Sequence, residues 1–461
     1  MKRNALNRMM ALTTCLLAGG MATLAQEALS QLNLPIVQTK YTADPAPYVH
    51  DGKVYLFTTH DEEGAEGFKM KDWLLYTSTD MVNWQDHGAV ASLRDFKWYK
   101  GDNGAWAEQV IERNGKWYMY CPIHGHGIGV LVADSPYGPY QDPLGQPLVW
   151  QKEHWYDIDP TVWIDDDGQA YMYWGNPNTY YVKLNEDMIS YSGDIVQLPK
   201  IKDYQEGPWL WSRVNALGQK KWYLAFASTC CPEGIGYAMS DSPTGPWEWK
   251  GHIMNHTIST RGNHPGIIDF QGRSYCFGLN YDIFRLETSR HAEQRSVSAA
   301  EMTYNADGTI QELPYFLECS LRQIGTFDPF RRVEAETMAW GYGLRTTREN
   351  PSGPWNPTLF VTDIDNGEYL MLKGVNMGKG AKHITVSCAS HLFGGQMELR
   401  LDAPDGLLVG TITIPNTRDK FQEFDTSLKG AQGTHDLYFV FKGNARQQKN
   451  LFNFDWWEMK P

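Results

Sequence analysis

The sequence is poor in positive charge. Its 461 residues hold 41 Lys and Arg against 54 Asp and Glu, a formal charge of −13. Lys2, Arg3 and Arg8 are the only charged residues among the first 25, so the remainder carries 38 bases against 54 acids. A chain of this sign lacks the basic footprint that nucleic acid and anionic membranes require. Cysteine is scarce too. There are seven, and none of the six beyond position 25 has the C-x-x-C spacing of zinc or redox sites. Cys230 and Cys231 are adjacent and face opposite ways if they lie on a strand. Buried thiols are the expectation, with one disulfide open to the chain after export. Beyond the N-terminus no 18 consecutive residues are apolar, so the mature chain is not expected to span a membrane. With 42% hydrophobic and 21% charged residues, the composition is globular and not disordered.

What is present starts with a three-part leader. Met1–Arg8 is basic, Met9–Leu24 is apolar or small, and the stretch ends on Ala25. This is the layout of a secretory signal over residues 1–25, which implies a periplasmic or extracellular protein. Cys15 raises a lipid anchor as the alternative, but Leu12-Thr13-Thr14 lacks the small residue that such processing prefers. At about 150 residues per domain, the length suggests two or three domains. Aromatic residues make up 13%, including 18 Trp and 25 Tyr. That suits both a β-rich fold and stacking on sugars.

A pattern recurs five times: a polar residue beside Pro or a small residue, a short apolar run, a Gly turn, then a Tyr-bearing strand. The copies begin at Asp44-Pro45, Trp106-Ala107, Asp159-Pro160, Glu206-Gly207-Pro208 and His264-Pro265-Gly266. Asp51-Gly52 and Asn114-Gly115 between apolar runs are hairpin signals. Ser78–Trp84, Ser135–Tyr140 and Ser242–Trp247 read as turns between outer strands. Five such units describe a five-bladed β-propeller. In a propeller the innermost strands start at the axis. The lead residues Asp44, Trp106, Asp159, Glu206 and His264 are therefore expected at one mouth of the channel. Three converging carboxylates are costly for folding unless they do chemistry. Two opposed carboxyl groups are the equipment of glycoside hydrolysis, one as acid and one as base or nucleophile. A third raises the acid's pKa by like-charge repulsion. Singly, Asp44 and Asp159 before proline also read as turn formers, and Glu206 as a loop residue.

At these residues the sequence resembles glycoside hydrolase family 43. The matching motifs are DPAP at 44–47, WAEQVIERNGKWYMY at 106–120, DIDPTVWIDDDGQAYMYWGN at 157–176, EGPW at 206–209 and NHPG at 263–266. The resemblance implies an all-β propeller over 33–325 that hydrolyses arabinose- or xylose-containing polysaccharide with inversion. It implies Asp44 as general base, Asp159 as modulator of the acid, and Glu206 as general acid. Trp106 matches a position near the sugar pocket, with core packing as the alternative. His264 matches an axial histidine that often accompanies a calcium ion with waters, the alternative being a hydrogen-bonded histidine without metal. Arg295 matches an arginine that contacts sugar, although Arg285 and Arg290 lie close by and a surface role remains open.

Gly325–Arg332 reads as a boundary. Beyond it, alternating strands separated by Gly, Asn and Asp turns imply a β-sandwich over 328–461. Val333–Thr337, Asp365–Tyr369 and Asn453–Trp456 resemble carbohydrate-binding module family 6, a jelly-roll sandwich. That resemblance implies Glu334, Glu336 and Asp455 as ligands of a structural calcium, since oxygen donors suit that hard ion. The alternative is three surface acids. Phe421 stands where the family commonly carries a sugar-stacking Trp, and Trp355 in the Pro351–Pro357 loop is the substitute, or else a core residue.

Together these readings imply an exported enzyme of hemicellulose breakdown acting on plant cell-wall polysaccharide. The preferred reaction is removal of α-L-arabinofuranosyl groups from arabinoxylan. An exo-β-1,4-xylosidase is the first rival and an endo-arabinanase the second. A non-catalytic glycan-binding propeller is the rival from another class.

Overall fold

The computed structural model describes residues 32–257, 260, 262–287, 293–348 and 358–461. The leader, Arg290 and Trp355 lie outside them.

Five antiparallel sheets follow one another along the chain. The first holds Thr42–His50, Lys53–His60, Asp72–Ser78 and Trp84–Ser92. The second holds Gln109–Arg113, Lys116–Pro122 and Ile128–Ala133. Thr161–Ile164, Ala170–Trp174, Tyr180–Leu184 and Tyr191–Gln197 make the third. Tyr204–Val214, Lys220–Ser228, Gly234–Ser240 and Glu248–Met254 make the fourth. Gly266–Phe270, Arg273–Asn280 and Ser296–Met302 make the fifth. The innermost strand of each sheet touches that of the next, and the fifth meets the first. This is a closed five-bladed propeller. The ring is sealed by the segment before the first blade, whose Ile36 and Thr42 amides donate to the carbonyls of Val297 and Arg295, each at 2.9 Å.

The inner hairpins form where the turn dipeptides stand. Asp51-Gly52 and Asn114-Gly115 have positive φ at both residues, 46° and 72°, then 56° and 78°. Such a two-residue loop twists in the same sense as its strands. Along each strand, side chains alternate between the two neighbouring blades. Tyr55, Phe57, Trp73 and Leu75 pack towards the second blade with Trp117 and Met119. Val54, Leu56, Leu74 and Tyr76 pack towards the fifth with Phe277 and Val297. Every blade is thus buried on both faces.

The second core begins at Phe327. One sheet of the sandwich runs Trp340–Tyr342, Tyr369–Asn376, Thr434–Lys442, Gly395–Leu401, Leu407–Ile414. The other runs Arg345–Arg348, Leu359–Thr362, Asn453–Lys460, His383–Ala389, Gln422–Ser427. Leu370, Leu372, Met397, Leu399, Ile384, Val386 and Trp457 fill the space between them.

The sandwich docks on the outer edge of the first blade. Thr337–Met338 pairs with Gln85 and Trp84 as a fifth strand, so an otherwise open sheet edge is covered. Asn83 donates to the Lys373 carbonyl at 3.0 Å and accepts its amide at 2.8 Å. Asp86 is buried and receives the Lys40 ammonium and the Thr346 hydroxyl, each at 2.6 Å. Burial works against the Asp86 carboxylate, but Lys40, Thr346 and the Gly88 amide outweigh it and hold its pKa below the ordinary value.

Two cysteine expectations separate here. Cys121, Cys276 and Cys388 are buried free thiols. Cys230 and Cys231 are not on a strand. They lie exposed in the turn after Ser228 and are joined to each other as a disulfide.

Removing one partner of a buried ion pair strands the other charge, at a cost of about 3–5 kcal/mol. Lys40→Met should therefore lower the denaturant midpoint strongly at pH 7. Asp86 has a depressed folded pKa, so the pair contributes above the ordinary carboxyl value and is lost as pH falls. The Lys40→Met deficit should shrink towards pH 3, and a deficit independent of pH would contradict this account.

Candidate active site

Each blade sends one dipeptide to the axis. Asp44-Pro45, Ala107-Glu108, Asp159-Pro160, Gly207-Pro208 and His264-Pro265 line a common pocket together with Trp209. The second blade's axial pair lies one residue beyond Trp106, and it carries Glu108 where the other four blades carry proline.

The backbone is strained where the acids stand. Asp44 and Asp159 have φ of 51° and 57°, and Gly207 has 59°. Left-handed backbone is uncommon for residues other than glycine, and a following proline restricts it further. Such strain persists only where surrounding structure enforces it. The strand pairing slips at the same places, between Ala43 and Ala46 and between Glu206 and Trp209. These irregularities turn the acids out of the ladder towards the axis.

His264 joins them. Its Nδ1 lies 3.4 Å from Asp44 Oδ1, and its Nε2 lies 3.7 Å from Asp159 Oδ2 and 3.5 Å from Glu206 Oε1. Asp44 accepts from Thr59 Oγ1 at 2.9 Å and from Arg295 Nη1 at 3.0 Å. Arg295 is also paired with buried Asp61 through Nε and Nη2, both at 2.9 Å. Asp159 accepts the Gly207 amide at 3.2 Å. Glu206 Oε2 accepts from Asn176 Nδ2, and Asn176 in turn accepts from Gln205 Nε2 at 3.1 Å.

Residues 32–310 match the model of the glycosyl hydrolases family 43. The chain belongs to that family. Residues 334–461 match the carbohydrate binding module of family 6. An arabinoxylan arabinofuranohydrolase of Paenibacillus polymyxa is 33% identical over 93% of this chain and 74% of its own length. A crystal structure of the Bacillus subtilis arabinoxylan arabinofuranohydrolase, in complex with cellotetraose, superposes with a TM-score of 0.81 at 31% identity, covering 93% of this chain and 98% of that one. A xylosidase/arabinosidase of Bacteroides ovatus is 30% identical, but over only 60% of this chain and 95% of its own length. The protein is a family 43 glycosidase with an attached carbohydrate-binding module.

The electrostatics of this family 43 site are dominated by burial. Burial drives the Asp159 carboxyl up. His264 opposes the rise while Glu206 and Asp44 add to it, and the value reaches about 8. Burial alone would lower the His264 imidazole. Asp159, Asp44 and Glu206 reverse that and raise it to about 10. The ring is therefore a cation at neutral pH, set among acids. Arg295 is fully buried, and burial is again outweighed, first by Asp44 and then by Asp61. Sequence reasoning expected Arg295 against the sugar. In the structure three of its donors serve Asp61 and Asp44.

Trp106 is half-buried beside the site, stacked on His124 with ring centroids 3.9 Å apart and 11° from parallel. Phe421 is half-buried and packs on Phe360 with ring centroids 5.3 Å apart. Glu334, Glu336 and Asp455 lie around one strand pair, where the Ala335 amide donates to the Asp455 carbonyl at 2.8 Å. Arg332 already binds Glu334 at 2.8 Å. Their carboxylates are not among the described groups whose donor atoms all lie within 4.8 Å of one another, whereas Asp159, Glu206 and His264 are such a group.

Sequence reasoning missed Thr59, Asp61, Glu108, Asn176 and Glu233. Glu233 accepts the Gly262 amide at 2.7 Å, and burial, with Glu206 nearby, raises its pKa. Asn176 and Glu108 carried a signal, as members of the 157–176 and 106–120 motifs, whereas Thr59, Asp61 and Glu233 lie outside the motifs. Glu108 was legible as the residue that breaks the proline rule.

A carboxyl whose folded pKa lies above its unfolded value costs stability as it ionises. For Asp159 that loss runs from the ordinary carboxyl value up towards pH 8. Asp159→Asn should therefore raise the melting temperature more at pH 8 than at pH 4. An equal change at both values would contradict the upward shift.

Proposed function

We propose that this enzyme removes α-L-arabinofuranosyl groups from arabinoxylan with inversion, and that it is exported to do so. The observation that carries the substrate is extent and identity together: the arabinofuranohydrolases match 93% of the chain at 31–33% identity, whereas a xylosidase/arabinosidase that matches 90% of it is only 22% identical and the Bacteroides ovatus one, at 30%, matches 60%. Asp44 is the general base and Glu206 the general acid. They approach opposite nitrogens of one imidazole, at 3.4 and 3.5 Å. The ring acts as a spacer, which favours the separation of roughly 6.5–9.5 Å that lets an inverting pair seat a water. Asp44 takes a proton from that water while its oxygen attacks the anomeric carbon. Glu206 gives its proton to the departing glycosidic oxygen as the carbon–oxygen bond breaks. Asn176 holds the Glu206 carboxyl in place by donating to Oε2. Asp159 and the His264 cation set the field in which the two act. Arg295 serves as a positioning residue, gripping Asp44 through a guanidinium that Asp61 fixes. Trp106 supplies an apolar face for the sugar.

Calcium is proposed at two places, each marked by a buried carboxylate oxygen that no donor meets among the described residues. On the axis Glu108 is 3% exposed, and neither of its oxygens has a hydrogen-bond partner among the described residues. Glu108 would hold the ion there, and His264 would join through water only as the neutral imidazole, which a nearby divalent charge favours. In the sandwich, Glu336 Oε2 is a buried acceptor without a donor, and burial followed by Glu334, Asp86 and Asp455 pushes its carboxyl well up. Glu334, Glu336 and Asp455 would hold the second ion. A bound divalent ion supplies positive charge that offsets these buried acids. Calcium should raise the melting temperature and chelation lower it, with Glu108→Gln and Glu336→Gln each removing part of the rise. A melting curve indifferent to calcium would remove both sites.

The activity test is digestion of arabinoxylan and unbranched xylo-oligosaccharides, with Glu206→Ala as control. Arabinose from the polymer alone is expected, and the control should lose about 10²–10⁴-fold in turnover with an intact fold. Xylose from the oligosaccharides would turn the assignment to β-xylosidase. No product from either would favour arabinan or a binding protein.

A further inference from the structure

The turn between the two middle strands of the fourth blade, 229–233, reaches from the proton donor to the axial histidine. At one end the Thr229 amide donates to the Asp203 carbonyl at 3.0 Å, three residues before Glu206. Asp203 and Thr229 have φ of 58° and 60°. Left-handed backbone at two residues that are not glycine persists only where surrounding structure enforces it. At the other end lies Glu233, 3% exposed. Its Oε2 accepts the Gly262 amide at 2.7 Å, and the Gly262 carbonyl accepts the His264 amide at 2.9 Å.

Gly262 forms the wall behind Glu206. Its φ is 61°, and a Cβ there would lie 3.7 Å from Glu206 Oε1. Asn176 holds the other oxygen. Glu206 is therefore fixed from the third blade on one side and backed by the 262–264 turn on the other, and the buried Glu233 carboxyl fixes that turn. The Cys230–Cys231 disulfide closes the outer end of this strap in solvent. Cys231 Sγ lies 3.2 Å from Glu233 Oε1. A cystine sulfur has no hydrogen to give, so it confines this oxygen without donating to it. Gly234, next along, is pressed on backbone: a Cβ there would meet the Met254 carbonyl oxygen at 2.6 Å.

We propose that Glu233, confined by the Cys230–Cys231 disulfide, is a positioning residue for the proton donor: it sets the 262–264 turn against which Glu206 lies. This rests on the reading of Glu206 as general acid. Opening the disulfide with a dithiol delivers two electrons and two protons to Cys230 and Cys231. One sulfur–sulfur bond breaks in the protein and one forms within the reagent. The freed Cys231 thiol can donate to Oε1 and draw the Glu233 carboxyl away from the Gly262 amide. The turn behind Glu206 then loses its anchor.

The test measures kcat and KM of the full-length wild type, Glu233→Ala, Glu233→Gln, the double variant Cys230→Ser/Cys231→Ser and Glu206→Ala. The substrates are arabinoxylan and a dinitrophenyl α-L-arabinofuranoside. Misplacing a catalytic group by about 1 Å costs on the order of 10²-fold, so kcat on arabinoxylan should fall about 10- to 100-fold in Glu233→Ala and in the double serine variant, with KM nearly unchanged. The dinitrophenyl substrate should lose less than about threefold, because so good a leaving group needs little general acid. Glu233→Gln keeps an acceptor for the Gly262 amide and should restore most of kcat. Dithiothreitol, once two new thiols are titrated, should lower the wild-type kcat on arabinoxylan by the same factor. Reoxidation should restore it, and the double serine variant should not respond. Equal losses on both substrates, an unchanged kcat in Glu233→Ala, or a reduced wild type of full activity would each overturn the proposal. Glu206→Ala is the reference. If it lacks the split between substrates, the general-acid assignment fails and the proposal with it, whereas a split in Glu206→Ala without one in Glu233→Ala overturns the proposal alone. Should xylo-oligosaccharides prove to be the substrate, they and a dinitrophenyl xyloside take these places.

Discussion

The site depends on one buried imidazolium held among three carboxyl groups. The His264 imidazole lies within 3.4–3.7 Å of Asp44, Asp159 and Glu206, each from a different blade. Without that positive charge, three acids at the axis would repel one another and resist closure of the ring. With it, the acids are drawn to fixed positions on either side of a rigid five-membered ring. The second cation, Arg295, performs the same service for Asp44 from just before the Ser296–Met302 strand of the fifth blade, and Asp61 in turn fixes Arg295. Catalytic geometry and ring closure thus draw on the same charges.

Much of this arrangement was legible in the sequence because propeller repetition is written in phase. Five lead positions recur beside proline or a small residue, and phase alone places Asp44, Asp159, Glu206 and His264 together. The hairpins were legible at Asp51-Gly52 and Asn114-Gly115, where chemistry dictates the turn. Phase ran one residue early in the second and fourth blades, where Ala107-Glu108 and Gly207-Pro208 line the axis just beyond Trp106 and Glu206. It failed at Arg295. Sequence gives the residue but not the partners, and Asp61 carries no motif of its own. Cys230 and Cys231 were expected most of all as buried thiols, whereas they lie exposed in a turn and form the one disulfide that the sequence left open.

The sandwich was legible as a fold but not in its placement. Nothing local in Thr337–Met338 announces that it will pair with Trp84 and Gln85 of the first blade. The join is made by polar groups, Asn83 to Lys373 and Asp86 to Lys40 and Thr346, whose value lies in long-range geometry. The result carries the Arg345–Arg348 edge of the sandwich to the first blade, where Arg345 meets Glu63 at 3.0 Å. The two domains therefore meet beside the loop that follows Asp61, on the same side as the catalytic acids.

The central claim is that Asp44 and Glu206 act across the width of His264 on a seated water. The direct measurement is the anomeric form of the first arabinose released, followed by proton NMR before mutarotation. The account predicts β-arabinofuranose from the α-linked substrate. Initial α-arabinofuranose would mean retention, and would contradict the spacing on which the account rests.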